Sequence, residues 1–170
     1  AGVKLGRSFK TGLFYFGGVE RGQVDPGGVR ALVKQTAKSD GPTIPVVLPQ
    51  DPGQAGKDQA ASYAADLVGF RVFSRPVTGA KEVRYGPFST QASPRSTGGA
   101  LGRVRVCKEA KNVLAWLSVN EAFDGLGIEH DDGADATADA FNYLAGRQAP
   151  PTAKPPPVQT RTFGSSGMAL

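Results

Sequence analysis

Aspartates at two places in the chain have the residue type and spacing that metal-dependent chemistry needs. Asp51 directly follows the apolar run "TIPVVLPQ" (43–50), and Asp131, Asp132 and Asp135 lie together at the start of an alanine-rich segment. A parallel strand delivers the residue after it to the carboxyl edge of an α/β sheet, where such proteins place their sites. Carboxylate oxygens suit Mg²⁺, and two such ions about 4 Å apart can activate a water and stabilise the leaving oxygen of a phosphodiester. The pattern therefore indicates a carboxylate site for divalent metal.

Ordinary structural roles also account for the same residues. Asp-Pro-Gly (51–53) is a common turn sequence, and aspartate at the start of a helix is favoured by capping and by the helix dipole. His130 is the only histidine and precedes the aspartate pair. It fits either a solvent-exposed loop position or an auxiliary role as a ligand or proton-transfer group. Both interpretations are open at this point.

The loop "LPQDPGQAGKDQA" (48–60) resembles a phosphate-binding loop but lacks the residues that one needs. Gly53, Gly56 and Lys57 suggest a nucleotide cradle, yet the glycines are too closely spaced, and Asp58 stands where Ser or Thr would bind magnesium. The motif GxxxxGK(S/T) occurs nowhere in the chain. Nucleotide binding therefore ranks well below the metal-site hypothesis.

Positive charge is concentrated in the middle of the chain. Residues 71–111 contain nine basic and two acidic residues, a net charge of +7, whereas residues 112–170 contain three basic and seven acidic residues, a net charge of −4. A basic stripe is the usual footprint of a polyanion partner, although a solvated, charge-rich loop would have the same composition. If the partner is a nucleic acid, the candidate phosphate contacts are Lys81, Arg84, Arg103, Arg105 and Lys108.

The first half of the chain predicts alternating strands and helices. Residues 1–7 and 12–21 have the pattern of a hairpin. Asp25 and Pro26 give an N-cap and a first-turn proline for a helix that ends near residues 40–41. The apolar run 43–50 then predicts a buried strand, residues 54–69 a helix that closes at a glycine, and residues 70–77 another strand. This order is typical of an α/β sheet.

The second half is less regular. Residues 78–110 are rich in Gly, Ser, Pro and Thr, which predicts a long basic loop or hairpin. Two helices follow. In the first, over residues 110–124, we expect Trp116 to lie in the core beside an apolar face formed by Val113, Leu114, Leu117 and Phe123. The last helix carries Ala134, Ala138, Phe141 and Ala145 at near-helical intervals. Residues 147–170 form a proline-rich basic tail, which we expect to be disordered or loosely held.

Three blocks of sequence, taken together, resemble a known family. They are "LPQDPGQAGKDQA" (48–60), "TGAKEVRYGPFSTQA" (78–92) and "HDDGADATADAFNYL" (130–144). In this order and at these separations they are similar to the C-terminal nuclease domain of the large terminase subunit of tailed bacteriophages, over most of residues 1–145. The resemblance implies a ribonuclease H-like fold, a mixed α/β sheet flanked by helices, for a domain at 1–146.

The resemblance also implies an activity and its residues. The family cuts concatemeric double-stranded DNA when packaging begins and ends, with divalent metal held by acidic residues. By this likeness Asp51, Asp131 and Asp132 are the catalytic carboxylates and bind two Mg²⁺ or Mn²⁺ ions. Helical spacing adds Asp135 to the expected metal ligands. The implied partners are DNA, the terminase ATPase domain, the small terminase subunit and the portal of the procapsid, and the implied location is the host cytoplasm. The alternative function is a non-catalytic DNA-binding or assembly module. Separately, no apolar run in the sequence approaches the length of a membrane span.

One departure from the family concerns the start of the chain. Family members carry a further aspartate on a first strand before the segment that corresponds to "AGVKLGR" (1–7), whereas the only acid in residues 1–24 is Glu20. We therefore expect the fold to lack its first strand in this chain. Metal binding should then be weak, and cleavage slow, until the upstream segment is restored.

Overall fold

Two small β-sheets with helices packed against them make up residues 1–97, 101–123 and 131–147, the part of the chain that the computed structural model describes. The strands are β1 (Gly2–Arg7), β2 (Phe14–Glu20), β3 (Val46–Gln50), β4 (Val72–Pro76) and β5 (Val104–Lys111). The helices are α1 (Pro26–Asp40), α2 (Gln54–Asp66), α3 (Lys81–Ala92), α4 (Pro94–Thr97), α5 (Val113–Ala122) and α6 (Asp132–Ala145). None of these helices is long and apolar enough to cross a membrane.

The larger sheet has the strand order β1-β2-β5, with β1 antiparallel and β5 parallel to β2. Phe14 and Phe16 point from β2 into a buried cluster that α3, α5 and α6 complete. Phe16 stacks on Trp116 at 3.9 Å between ring centroids, and Phe14 meets Phe141 at 4.4 Å. The predicted hairpin, the core position of Trp116 and the mixed α/β class are confirmed.

The smaller sheet is a parallel pair, β3 and β4, joined by α2. The predicted strand, helix and strand are all present, and Gly53 begins the helix as its N-cap. The prediction that 43–50 is a buried strand was wrong about burial: Val46, Val47 and Leu48 are only partly buried. The physical reason is that β3 pairs with β4 alone, so its other edge is open among the described residues.

The prediction of a loop or hairpin over residues 78–110 was wrong in its first half, where α3 forms. Gly86 and Pro87 lie inside this helix, and both disfavour helix when they are considered locally. The helix is stabilised by tertiary packing, because Tyr85 and Phe88 are buried in the core cluster. Pro87 has no N–H to donate to the carbonyl four residues earlier in the helix. Because Pro87 is exposed, that carbonyl can face water instead.

The predicted apolar face of α5 was also wrong in part. Leu114 is 82% exposed and Leu117 is 36% exposed, while Trp116 is buried. In α6, Ala134, Ala138 and Phe141 are buried as expected, whereas Ala145, the last residue of the helix, is exposed. The predicted tail, residues 147–170, lies outside the described residues except for Arg147. His130 also lies outside them.

Candidate metal and phosphate site

The start of α6 carries the predicted acidic cluster. Asp131 is the N-cap residue and is buried, and its carbonyl oxygen accepts from the backbone N–H of Ala134 at 2.8 Å. The first turn packs tightly: a Cβ on Gly133 would lie 3.2 Å from the side chain of Val119 in α5. Thr137 Oγ1 donates to the Gly133 carbonyl at 2.6 Å and accepts from the Trp116 indole N–H at 2.9 Å. The acids therefore project from a helix start that is fixed to the core.

Lys81, at the first position of α3, lies between two of these acids. Its Nζ is 2.5 Å from Asp131 Oδ2 and 3.0 Å from Asp135 Oδ2. Its hydrogen bonds to Asp131 and Asp135 raise the pKa of the Lys81 ammonium above its usual value. Because the lysine side chain is 41% exposed and that of Asp131 only 10%, the cation lies on the solvent side of the cluster.

Arg84, one turn further along α3, extends the charge pairing. Its guanidinium lies 2.7 Å from Asp135 Oδ1 and 3.2 Å from Asp139 Oδ1. The Asn142 side-chain amide donates to the Arg84 carbonyl at 2.8 Å. Burial raises the pKa of Asp139, and the nearby Arg84 charge offsets part of that rise. Two cations of α3 thus alternate with three aspartates of α6.

Asp51 lies at the carboxyl end of β3, as predicted, and its side chain is exposed. The chain turns there into α2, and Gly56 of α2 packs directly on the Asp51 backbone: a Cβ on Gly56 would lie 2.0 Å from the Asp51 carbonyl oxygen. The role of this glycine in "LPQDPGQAGKDQA" is therefore to allow this close approach. Beside Asp51, the Gln50 carbonyl accepts from the backbone N–H of Val77 at 3.0 Å.

The structure brings some of the predicted ligands together and leaves others apart. Asp131 and Asp135 converge on one ammonium group, whereas Asp132 is exposed at the first turn of α6. Within the described residues, no three His, Cys, Asp or Glu side chains lie close enough to hold a metal ion. The donor set nevertheless fits a hard divalent cation, because two carboxylates already share a positive charge and their oxygens are the ligands that Mg²⁺ prefers.

The predicted phosphate contacts occupy three different settings. Lys81 and Arg84 are paired with the α6 aspartates, as described above. Arg103 is exposed, and its guanidinium lies over Gly12 beside a cleft that Arg7 also lines. Arg105 donates to the carbonyls of Gly102 and Val104, and Lys108 is exposed on β5. The basic segment is thus divided between α3 and β5.

No protein-family model, curated protein or solved structure matches this chain. The resemblance to the terminase nuclease domain therefore rests on the three sequence blocks and stays a prediction.

The ion pairs between α3 and α6 were the feature that sequence reasoning missed. Once α3 is recognised, a signal is present: Lys81 and Arg84 are three residues apart, and Asp131, Asp135 and Asp139 recur every fourth residue. Both spacings place charges along one helical face.

Proposed function

We propose that this chain is the metal-dependent endonuclease domain of a viral DNA-packaging terminase. It would have a ribonuclease H-like sheet and hydrolyse phosphodiester bonds of concatemeric double-stranded DNA when packaging starts and ends. Asp51, Asp131, Asp132 and Asp135 would hold Mg²⁺ or Mn²⁺, which supplies an activated water and stabilises the leaving oxygen. The ATPase domain, the small terminase subunit and the portal would be its assembly partners in the host cytoplasm.

The observation that carries this proposal is the short segment 77–81 between the two acidic groups. At its start, Val77 is hydrogen-bonded to the residue before Asp51. At its end, Lys81 contacts both Asp131 and Asp135. Four residues span at most about 14 Å even when fully extended. Asp51 and the α6 aspartates therefore lie around the same end of the β3–β4 pair, where both parallel strands finish.

Lys81 would take part in this function by exchanging partners. In the present arrangement its ammonium neutralises Asp131 and Asp135. It would have to leave these carboxylates when they bind a divalent cation, and the freed ammonium would then be available to a DNA phosphate. Arg84, whose side chain is only 14% exposed, would stay paired with Asp139 and hold α3 against α6.

A plasmid-nicking assay tests the proposal. We expect Asp51→Asn and Asp131→Asn to abolish nicking of supercoiled plasmid in Mg²⁺ or Mn²⁺, because an amide replaces an anionic ligand at nearly constant shape. Asp58→Asn is the matched control, since Asp58 is exposed in α2 and bonded to Gln54. Circular dichroism melting of each variant separates lost chemistry from lost folding. Nicking by Asp51→Asn at the rate of Asp58→Asn would exclude Asp51 as a ligand.

A second candidate function is a non-catalytic DNA-binding or assembly module. The observation that favours it is that Asp131, Asp135 and Asp139 all pair with Lys81 and Arg84, a structural role that needs no metal. In that case no variant would nick DNA, and Asp51→Asn would bind DNA as tightly as the unmodified chain.

A further inference from the structure

The larger sheet has one face in the core and one face turned away from it. Phe14 and Phe16 of β2 belong to the core cluster. Tyr15 lies between them and points to the other side, because successive side chains of a strand alternate. Its paired residues, Gly6 on β1 and Arg105 on β5, share that side. We call this side, opposite to α3, α5 and α6, the outer face of the sheet.

The outer face is open around Tyr15. A Cβ on Gly6 would have only the Tyr15 carbonyl oxygen within 4 Å, at 3.9 Å, and Gly6 is exposed. Gly17, two residues after Tyr15, lies on the same face, and the atoms nearest to a Cβ there belong to the Lys4 side chain. Two of the positions beside Tyr15 thus carry no side chain that could cover its ring.

Tyr15 is the one tyrosine without a side-chain partner in the part of the chain that the structure describes. It is partly exposed, its hydroxyl forms no hydrogen bond with these residues, and its ring contacts no other ring or guanidinium among them. A free aromatic ring on an open sheet face is a surface for stacking. The other three tyrosines have partners: Arg30 lies over the Tyr63 ring, the Tyr85 hydroxyl donates to the Asn120 carbonyl, and the Tyr143 ring contacts Phe73.

Basic side chains flank Tyr15 on the outer face. Arg105 is its neighbour on β5, and two backbone carbonyls hold one nitrogen of the Arg105 guanidinium. Arg103 lies two residues earlier, at the end of the sheet where β2 begins. At the other end of the face, the Lys4 ammonium is paired with Asp40 of α1. Among the described residues, the positive charge without an acidic partner therefore lies beside Tyr15, from Arg105 towards Arg103.

We infer that the outer face binds single-stranded nucleic acid, with an unpaired base stacked on Tyr15 and the adjoining phosphates at Arg105 and Arg103. An aromatic ring together with a basic groove is the combination that single-strand binding uses, because every base has a π face and every linkage a negative charge. Protein sheets with aromatic residues on an open face stack two or three unpaired bases in this way. A paired duplex cannot use this surface, since its bases are stacked on each other.

This site goes beyond the proposed nuclease function and is separate from the aspartate site. Phe14 meets Phe141 of α6 on the core face, so α6 and its aspartates lie on the opposite side of the sheet from Tyr15. Stacking and phosphate contacts also need no metal. Binding at the outer face can therefore be measured in EDTA, where metal-dependent cleavage does not occur, and its outcome does not depend on whether the chain is a nuclease.

Fluorescence anisotropy with labelled strands of about twelve nucleotides tests the inference. The probes are oligo(dT), oligo(U), an abasic strand of the same length, which keeps the phosphates but has no bases, and a hairpin duplex. We expect Tyr15→Ala and Tyr15→Leu to weaken binding of oligo(dT) and oligo(U) by about 5- to 140-fold, the contribution of one stacked base. Binding of the abasic strand and of the duplex should not change.

Two matched variants separate stacking from other effects. Tyr15→Phe keeps the aromatic ring and should bind all four probes as the unmodified chain does. Tyr63→Ala removes a tyrosine whose ring is already covered by Arg30, and it should also leave binding unchanged. Arg105→Ala should weaken the abasic and the base-containing strands by the same factor, and should lower the slope against log salt by about 0.7 for each phosphate that it no longer neutralises.

Three results would overturn the inference. Binding of oligo(dT) by Tyr15→Ala as tightly as by the unmodified chain would exclude Tyr15 as a stacking surface. Full binding by Tyr15→Leu would show that apolar bulk and not an aromatic ring is needed. An equal loss for the abasic strand would show that the tyrosine acts through charge or folding. Circular dichroism melting of each variant identifies a folding defect, and the leucine variant, which keeps an apolar side chain on the strand, decides the question if the alanine variant unfolds.

Discussion

Gly56→Ala should move the Asp51 backbone without emptying any part of the core. A Cβ at this position would lie 2.0 Å from the Asp51 carbonyl oxygen, whereas real Cβ contacts stay above about 3.0 Å, so the two backbones must separate by about 1 Å. Overpacking of this kind costs about 1–3 kcal/mol of folding free energy. A misplacement of about 1 Å in a catalytic group can lower the rate about 100-fold. We therefore expect moderate destabilisation together with a much larger loss of nicking.

Gly53→Ala is the matched control for this prediction. Gly53 has φ of +94°, and a Cβ there meets nothing within 4 Å. The substitution should cost about 1–3 kcal/mol through backbone strain alone, without pressing on Asp51. Urea unfolding gives the stability of both variants, and manganese-dependent plasmid nicking gives their activity. If Gly56→Ala and Gly53→Ala nicked DNA at the same rate, the position of the Asp51 backbone would not matter for cleavage, and the reasoning would fail.

Three further predictions concern the core, the alkaline limit of stability and DNA binding. Thr137→Val should lower the free energy of unfolding, measured with urea, by about 1–3 kcal/mol, because it leaves the buried indole N–H of Trp116 without its acceptor. An unchanged midpoint of the urea transition would contradict this. Burial raises the pKa of Tyr85 from 10.0 to about 12, so the folded state should lose up to about 2–3 kcal/mol as the pH rises from 10 to 12. Tyr85→Phe should not show this alkaline loss relative to its own stability at pH 9. Replacing Arg103 and Arg105 by Ala should weaken DNA binding about equally across sequences and lower the slope against log salt by about 0.9 for each phosphate that these side chains neutralise; an unchanged slope would show that these arginines are ordinary surface.

The parts of the fold that the sequence predicted are those encoded by local signals. Asp25 does cap α1, and its side chain accepts from the Gly28 N–H at 2.7 Å. The hairpin of β1 and β2 and the β3-α2-β4 unit likewise follow from alternating residues, turn residues and helix propensity. Each signal lies within a few residues of the feature that it determines.

The parts that the sequence did not predict depend on distant contacts. Gly86 and Pro87 mark a loop by local rules, but Tyr85 and Phe88 bury enough apolar surface against the core to hold α3 together. The exposure of Leu114 has no local signature either, because several faces of α5 are apolar and only its neighbours determine which face is buried.

For the candidate site, the sequence predicted which elements carry the aspartates but not how these elements are arranged. Asp51 directly follows β3 and Asp131 is the N-cap of α6, as the sequence indicated. The Lys81 ammonium between Asp131 and Asp135 could not be foreseen, because it depends on how α3 packs against α6.

The most direct test of the proposed function is to locate bound metal. Crystals of the chain soaked in Mn²⁺ would show the ions by anomalous diffraction. We expect two ions about 4 Å apart, one of them contacting both Asp51 and Asp131, with the Lys81 ammonium displaced from Asp131. The catalytic assignment would be contradicted if the Asp51 and Asp131 carboxylates were more than about 10 Å apart, which is beyond the reach of a two-metal site, and Lys81 still bridged Asp131 and Asp135.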